Sequence, residues 1–502
     1  MKSFKMTVCD FKSQDKLANA DYMEFWRDPS NYHPHLPDFK RSIELYVNDS
    51  RFRSSYDIDP KQTLINYRLG QISPLDLNIL TDIEIANEYR DGGLKEIPVL
   101  VKQYRQFIQA KKKHCVEVRG SQPDHLLWRK WRERMVKATL WREGPLKYSR
   151  LVHAPFTIEF TQGCSVGCWF CGVSAEKFQG PVVMSDDVKL NWRHLLTAFN
   201  AICGQESAQH GFCYWATDPL DHPEYEWFLE QFHNILGYWP QTTTAQAMKH
   251  ADRIRKLFKY IKSKNAFVQR FSLPRSTDLK EVMDFFTAEE LFMCELIPQY
   301  DNDIAPKATV GRVRDLVLRK KKENKKIPFR YDIDATGSIA CVSGFLINLV
   351  ERTIKIITPC PASDRWPLGY RILGQHIFSY DENMEHVLKK MLGRFINNRL
   401  LPDDLLKSHY GVVFSSSSDC VLSASSHGYT FSVKDLSFAP LMAKLLQDGI
   451  HSVDQICSAI ESEGGLRLQV LVTLYQLFDQ GIFDEDIIDR GRLNLNDIKG
   501  IS

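Results

Sequence analysis

The chain has 502 residues and a formal net charge of +3, and 43% of its residues are hydrophobic. Such a chain can bury a large core without disulfides or structural metals, and its small net charge gives no reason to expect nucleic acid as a partner. The first residues lack the apolar segment of a signal peptide, and no apolar run approaches the ~18 residues that a membrane span needs. The 12 cysteines therefore predict a cytoplasmic protein whose thiols stay free or bind metal.

Residues 1–150 are predicted to form a helical N-terminal region. Within it, a set of large apolar side chains recurs at helical spacing, which is typical of a helix face packed against a core. These side chains are Leu127, Trp128, Trp131, Met135 and Trp141.

Between residues 151 and 330, short apolar or β-branched runs alternate with helical segments such as 223–236. Repeated strand–helix units predict a parallel sheet with helical crossovers, as an open or partial barrel whose chemistry lies at the carboxyl ends of the strands. The predicted strands are 156–162, 211–217, 241–246, 266–273 and 294–299.

The segment 331–430 is expected to contain two strands with a turn near Glu351–Arg352, followed by a loop rich in Pro and Gly at 359–371. The tail, 431–502, is expected to form a small module of an apolar helix, a turn marked by Gly and two more amphipathic helices.

Cys164, Cys168 and Cys171 follow the first predicted strand with the spacing Cys-x3-Cys-x2-Cys. A structural zinc site needs a fourth ligand, which is absent nearby, and a disulfide would leave one thiol over. A chance group of buried cysteines is a further alternative. An iron–sulfur cubane agrees better, because three thiolates leave one iron open to a cofactor or substrate. Gly163 and Gly167 would let the backbone wrap closely around such a cluster.

This motif, with Phe170 before the last cysteine, resembles the motif of the radical S-adenosylmethionine (SAM) superfamily. The resemblance implies a partial (β/α)6 barrel, one [4Fe-4S] cluster on the three cysteines, and SAM on the open iron. It also implies cleavage of SAM to a 5′-deoxyadenosyl radical by an electron from a flavodoxin or ferredoxin. Asp218 keeps the carboxylate of the family's Gly-Gly-Glu-Pro segment, whose glycines are replaced here. The positions that match SAM contacts are Phe170, Ala216, Thr217, Asp218, Thr243, Thr244 and Ser272.

The region of the predicted hairpin and the following "PCPASDRWPLGY" resembles peptide-modifying radical SAM enzymes, in particular the epimerases of proteusin-type peptides. The resemblance implies conversion of L-residues to D-residues in a ribosomally synthesised precursor peptide of leader plus core. The Cα hydrogen would be removed, and a cysteine thiol would return hydrogen to the opposite face. We expect Cys360 to be this donor because it follows a strand end and precedes a loop that could line the pocket, with Cys341 as the alternative. Asp364, Arg365 and Trp366 are the expected peptide contacts.

The tail resembles small winged-helix modules that bind leader peptides, although a simple cap on the barrel stays open. Its low positive charge argues against DNA, and leader binding would use strand addition at a sheet edge.

Two other functions also stay open. One is a radical SAM enzyme that forms thioether or C–C cross-links, although the auxiliary clusters usual for it lack cysteines here. The other is a non-catalytic metal-binding protein.

Overall fold

The computed structural model shows a mixed α/β protein with helices and several separate sheets. No helix among the residues described combines the length and the apolar character needed to cross a membrane. The structure describes residue 25 and the ranges 29–90, 96–148, 151–300, 307–327, 329–331, 338 and 340–485.

The described part of the N-terminal region is helical. Asp49 and Asp59 accept hydrogen bonds from backbone N–H groups in the first turns of the second and third helices, and Pro60 occupies a first helical position. The helices are α1 (Leu36–Asn48), α2 (Ser50–Ile58), α3 (Pro60–Asn66), α4 (Pro74–Thr81), α5 (Ile83–Arg90), α6 (Val99–Gly120) and α7 (Leu126–Tyr148).

Helix α7 carries the predicted apolar face into the core. Trp128, Trp131 and Trp141 are each at most 1% exposed, which confirms that this face is a packing surface. The helix is broken at Gly144, whose φ of 76° is not helical, directly before Pro145. A Cβ atom at Gly144 would lie 3.1 Å from the Cβ atom of His427, so the break also brings the C-terminal part of the chain close to α7.

Parallel strand pairing dominates the middle of the chain. Strand β1 pairs parallel with β7, and β4, β5 and β6 form a second parallel sheet. The short strands β2 and β3 pair antiparallel just after β1. The strands are β1 (Ala154–Glu159), β2 (Thr161–Gln162), β3 (Gly180–Pro181), β4 (Thr243–Thr244), β5 (Gln269–Leu273), β6 (Cys294–Pro298) and β7 (Val342–Asn348). The helices here are α8 (Asp186–Cys203), α9 (Gln205–Ala208), α10 (Tyr225–Leu236), α11 (Ala251–Ile261), α12 (Ser276–Phe285) and α13 (Gly311–Lys322).

The predicted strand 211–217 is reduced to a single parallel bridge between Thr157 and Phe212. Side chains of β1 replace part of the expected ladder beyond this bridge. The Thr157 hydroxyl donates to the Tyr214 carbonyl, and the Ala216 N–H donates to the Glu159 carboxylate over 2.7 Å. Because these backbone groups are already satisfied, a longer strand is not needed to pair them.

Strand β7 lies between β1 and β8 (Thr353–Pro359), and every residue of β7 is buried. Its near-continuous apolar sequence is what a strand with two covered faces requires. The predicted turn is confirmed, with a left-handed φ of 54° at Arg352. Strand β8 runs antiparallel to β7 and pairs on its other side with β9 (Tyr370–Ile377), which α14 (Met384–Phe395) follows.

The C-terminal part has its own hydrophobic core, whose members extend from Leu400 to Phe483 and include Trp141 of α7. The antiparallel sheet contributes Phe414, Leu422 and Ala424 to this core. The three predicted helices are all present. The elements are β10 (Val413–Ser417), β11 (Val421–Ser426), β12 (Tyr429–Val433), α15 (Ala439–Asp448), α16 (Val453–Ser462) and α17 (Arg467–Asp479).

Gly344 on β7 should not tolerate a side chain. A Cβ atom there would lie 1.9 Å from the Pro155 carbonyl oxygen, so β1 and α7 would both have to move away from β7. We expect Gly344→Ala to lower the free energy of unfolding by about 1–3 kcal/mol or more, measured by urea denaturation. Gly393, inside α14, has open space at its Cβ position. Gly393→Ala is the control and should leave stability unchanged or raise it by up to ~1 kcal/mol; equal losses in both variants would contradict the argument.

A candidate cysteine site at the end of strand β1

The loop that carries Cys164, Cys168 and Cys171 begins just after β2, and all three residues are partly buried. At its start, the loop backbone lies very close to the backbone of residues 176 and 177. Gly163 has a φ of 72°, and a Cβ atom there would lie 2.4 Å from the Lys177 carbonyl oxygen. The Cys164 N–H donates to the Glu176 carbonyl over 2.9 Å, so the loop closes on itself between these two ends. Only glycine fits at Gly163, in keeping with a loop that wraps closely.

The three thiols lie close enough for their charges to interact. Burial raises the pKa of Cys164, which the backbone N–H groups of Val166 and Gly167 oppose. Burial, followed by the neighbouring Cys164 and Cys171, raises the pKa of Cys168 to about 12. The Ala175 N–H donates to the Cys171 sulfur over 3.3 Å. Three thiolates in this position would repel one another, and a bound cation or cluster would offset the repulsion.

Cys164, Cys168 and Cys171 are the residues that could hold an iron–sulfur cluster. Among the described residues, no group of three or more His, Cys, Asp or Glu side chains is arranged to hold one metal ion. A cubane does not require such convergence, because each thiolate binds a different iron. Cys164, Cys168 and Cys171 would therefore hold three irons, and these residues offer no fourth thiolate from the same loop.

Asp221 ties the cysteine loop to the end of β4. Its carboxylate accepts hydrogen bonds from the backbone N–H and the hydroxyl of Ser165, at 2.9 and 2.6 Å. The Gln246 side-chain amide donates to the same carboxylate over 2.8 Å. Sequence reasoning missed Asp221, and the only available signal was a second acid three positions after Asp218 in "TDPLD".

Asp218 is buried and fully engaged with protein donors. Its carboxylate accepts from the Leu220 N–H, the Thr244 hydroxyl and the Ala245 N–H, at 2.8 to 3.1 Å. Burial raises its pKa to about 6, against the effect of these hydrogen bonds. Asp218 therefore joins the segment after residue 215 to the end of β4. The neighbouring Thr217 hydroxyl is hydrogen-bonded to that of Thr161.

Glu159, the last residue of β1, is a second buried carboxylate that sequence reasoning missed. It accepts from the Ala216 N–H over 2.7 Å and from the side-chain amide of Asn348 over 3.0 Å. Burial raises its pKa to about 6. Glu159 therefore holds the candidate SAM-contacting segment against both β1 and β7.

A cavity of about 340 Å³ opens beside the cysteine loop. Val166 of the loop, Gln246 after β4 and Ser272 on β5 all line it. Among the other SAM candidates, Thr243 and Thr244 form β4, and Phe170 has Lys307 Nζ 5.8 Å from its ring centroid. The structure thus brings Ser272 and the cysteine loop to one cavity, whereas Asp218 binds the segment behind it.

Cys341 and Cys360 lie at the other end of the sheet. The Ala154 N–H at the start of β1 donates to the Cys341 carbonyl over 2.6 Å. Cys360 follows β8, which runs opposite to β1, and is 2% exposed. Burial raises the pKa of Cys341. The two thiols and the cysteine loop are thus associated with opposite ends of β1.

The expected peptide-contacting residues form a compact exposed turn. The Asp364 carboxylate, which is fully exposed, is paired with the Arg314 guanidinium. The Arg365 guanidinium lies 5.2 Å from the ring centroid of Trp366. The Trp366 N–H donates to the Ser363 hydroxyl over 3.0 Å. These side chains are accessible to a ligand, and Trp366 is also part of the turn.

The chain is similar to one curated protein along most of its length and to one solved structure over about half of it. No protein-family profile matches the chain. "Uncharacterized protein y4wI" of Sinorhizobium fredii (strain NBRC 101917 / NGR234) is 29% identical over 477 residues, which is 93% of this chain and 92% of that protein. The crystal structure of BtrN in complex with AdoMet and 2-DOIA is 13% identical and covers 48% of this chain and 87% of that one, with a TM-score of 0.27. A likeness at that score supports no conclusion about fold or function.

The buried carboxyl of Glu159 should give stability a measurable pH dependence. Its pKa is about 6 in the folded protein against an ordinary value of 4.5, so the folded state binds the proton more tightly. The resulting stabilisation is complete at pH values below the pKa of Glu159 in the unfolded protein. It is lost as the pH rises through the pKa of Glu159 in the folded protein. Between these pH values the wild type should lose on the order of 2 kcal/mol relative to Glu159→Gln, in urea unfolding of the metal-free protein. Exposed Glu206 provides the control Glu206→Gln, and identical pH profiles for the two variants would contradict the assignment.

Proposed function

We propose that this protein is a radical SAM peptide epimerase that converts L-residues to D-residues in a ribosomally synthesised precursor peptide. The proposal rests on one observation. The loop with three half-buried thiols follows β1 and β2, and its residue Val166 lines a cavity together with the segment after β4 and the end of β5. The carboxyl ends of parallel strands are where α/β proteins of this kind bind ligands. The partial (β/α)6 barrel is part of this proposal.

The chain's own residues would bind the cluster and SAM. Cys164, Cys168 and Cys171 would hold the [4Fe-4S] cluster, and the cavity beside Val166 and Ser272 would hold SAM. When bound, the cluster and SAM would supply a carbon-centred radical that removes a hydrogen atom from a peptide Cα. The oxygen-sensitive cluster and the free thiols suit a reducing cytoplasm.

A cysteine thiol would complete the inversion. One S–H bond breaks and one C–H bond forms on the opposite face of Cα, which leaves an unpaired electron on sulfur. One electron from a flavodoxin or ferredoxin and one proton from solvent would restore the thiol. Cys360 is the proposed donor. It is 2% exposed and lies at the opposite end of β1 from the cysteine loop, so the proposal requires a rearrangement that brings its thiol to the same Cα as the radical. Cys341 is the alternative, and its raised pKa keeps that thiol protonated.

The C-terminal unit would bind the leader peptide at the open edge of β12. A cavity of about 540 Å³ lies between β12 and α17, lined by Phe431, Val433 and Gln476 among others. Leu468 and Val472 continue the same face of α17 toward its N-terminus and are 74% and 50% exposed. An edge strand beside an exposed apolar helix face is a suitable acceptor for an added strand with apolar side chains. Anchoring the leader there would raise the effective concentration of the core peptide.

Epimerisation can be tested directly by anaerobic reaction in D2O. Reconstituted protein, SAM and dithionite would be mixed with the precursor peptide encoded beside the gene. We expect a gain of one mass unit per modified residue, because an exchanged thiol delivers deuterium, and D-residues after acid hydrolysis. A loss of two mass units would identify a cross-linking enzyme instead. Protein that holds no iron and cleaves no SAM would be a binding protein.

Three cysteine variants separate the donor from other thiols. Cys360→Ala should still cleave SAM but yield no D-residue, because the peptide radical lacks its hydrogen source. Cys457 is buried in the C-terminal core, so Cys457→Ala is the matched control and should retain product. If Cys360→Ala produced D-residues and Cys341→Ala did not, Cys341 would be the hydrogen donor.

Leader binding should depend on the exposed face of α17. We expect Leu468→Asp and Val472→Asp each to weaken binding of a fluorescent leader peptide by roughly tenfold or more, measured by anisotropy. Ile58, at the end of α2, is 86% exposed, and Ile58→Asp should bind like the wild type. Unchanged affinity in both α17 variants would exclude this groove as the leader site.

A further inference from the structure

In the first turn of α13, Arg312 donates hydrogen bonds to the cysteine loop from both its side chain and its backbone. One guanidinium nitrogen donates to the Cys168 carbonyl over 2.7 Å, and the other donates to the Ala175 carbonyl. The backbone N–H of Arg312 donates to the Cys171 carbonyl over 3.0 Å. Three carbonyl groups of the loop are thus bound by one residue that lies more than a hundred positions away in the chain.

The hydrogen bonds that the Cys168 and Cys171 carbonyls receive from within the loop are longer than those from Arg312. The Cys171 N–H donates to the Cys168 carbonyl over 3.3 Å, and the Ser174 N–H donates to the Cys171 carbonyl over 3.2 Å. A carbonyl and the N–H of the same trans peptide point in opposite directions. Binding the carbonyl oxygens from one side therefore also fixes where the N–H groups of Trp169 and Gly172 point.

Backbone packing at Gly311 supports a specific contact. Gly311 has a φ of 52°, and a Cβ atom there would lie 2.3 Å from the Gly172 carbonyl oxygen. Its N–H donates to the Pro367 carbonyl over 3.0 Å. The start of α13 is therefore held between the cysteine loop and the exposed turn that contains Trp366, and Arg312 cannot easily turn away.

We propose that Arg312 is a positioning residue that holds the cysteine loop in the shape required for cluster binding. This inference rests on the proposed function for the identity of the cluster, but the loop geometry is independent of it. The planar guanidinium supplies two donors in a fixed fork, so it can bridge two carbonyls at once. A lysine ammonium is a compact charge on a flexible stem and would not reproduce that fork.

The first test uses metal-free, reduced protein and iodoacetamide, with alkylation of each cysteine followed by peptide mass spectrometry. We expect Arg312→Gln to speed alkylation of Cys168 and Cys171 by roughly tenfold, with Arg312→Lys between it and the wild type. Buried Cys213 should remain slow. Arg319 is exposed on the same helix, and Arg319→Gln is the matched control that should behave like the wild type.

The second test follows the cluster after anaerobic reconstitution. We expect Arg312→Gln to bind iron and sulfide roughly 10- to 100-fold more weakly and to shift the midpoint potential of the residual cluster, whereas Arg319→Gln should do neither. Equal alkylation and equal iron content in the two variants would overturn the inference. Faster alkylation of Cys213 together with the loop cysteines would overturn it too, because it would reveal global loosening. If the wild type bound no iron but Arg312→Gln were still alkylated faster than Arg319→Gln, the result would support the positioning role of Arg312 and reject the proposed function.

Discussion

The candidate site depends on the close approach of backbone segments around the cysteine loop. At Gly163 the loop meets residue 177, and at Gly311 the first turn of α13 meets residue 172. In both places the gap is smaller than a methyl group, and both glycines have positive φ values. At these two points the loop, the segment behind it and α13 meet through backbone atoms. The Arg312 side chain adds two hydrogen bonds between α13 and the loop.

Buried carboxylates connect backbone segments near the strand ends. Glu159 and Asp218 accept the backbone N–H groups of Ala216 and Ala245, and Asp221 accepts the backbone N–H of Ser165 in the cysteine loop. Burial raises the pKa of Glu159 and Asp218, so their ionised forms pay a desolvation cost that the hydrogen bonds partly offset. The segments at the strand ends are thus joined by side chains.

Local patterns explain how far the sequence could predict this structure. The spacing of the tryptophans gave the buried face of α7, and the apolar run before Glu351 gave the buried strand β7. The triad of cysteines was evident from its spacing alone. Arg312 was not, because its role depends on a contact across more than a hundred residues and its neighbours carry no distinguishing pattern. The strand at 211–217 was overestimated for a similar reason, since side chains of β1 satisfy its backbone.

The opposite directions of β1 and β8 impose a distance constraint on the proposed reaction. The six residues of β1 span about 20 Å, with the cysteine loop following one end and Cys341 and Cys360 at the other. Removal and return of hydrogen act on the same Cα, so the radical and the donor thiol must both come within contact distance of one atom. Inversion by either thiol therefore requires a rearrangement that closes the length of a whole strand.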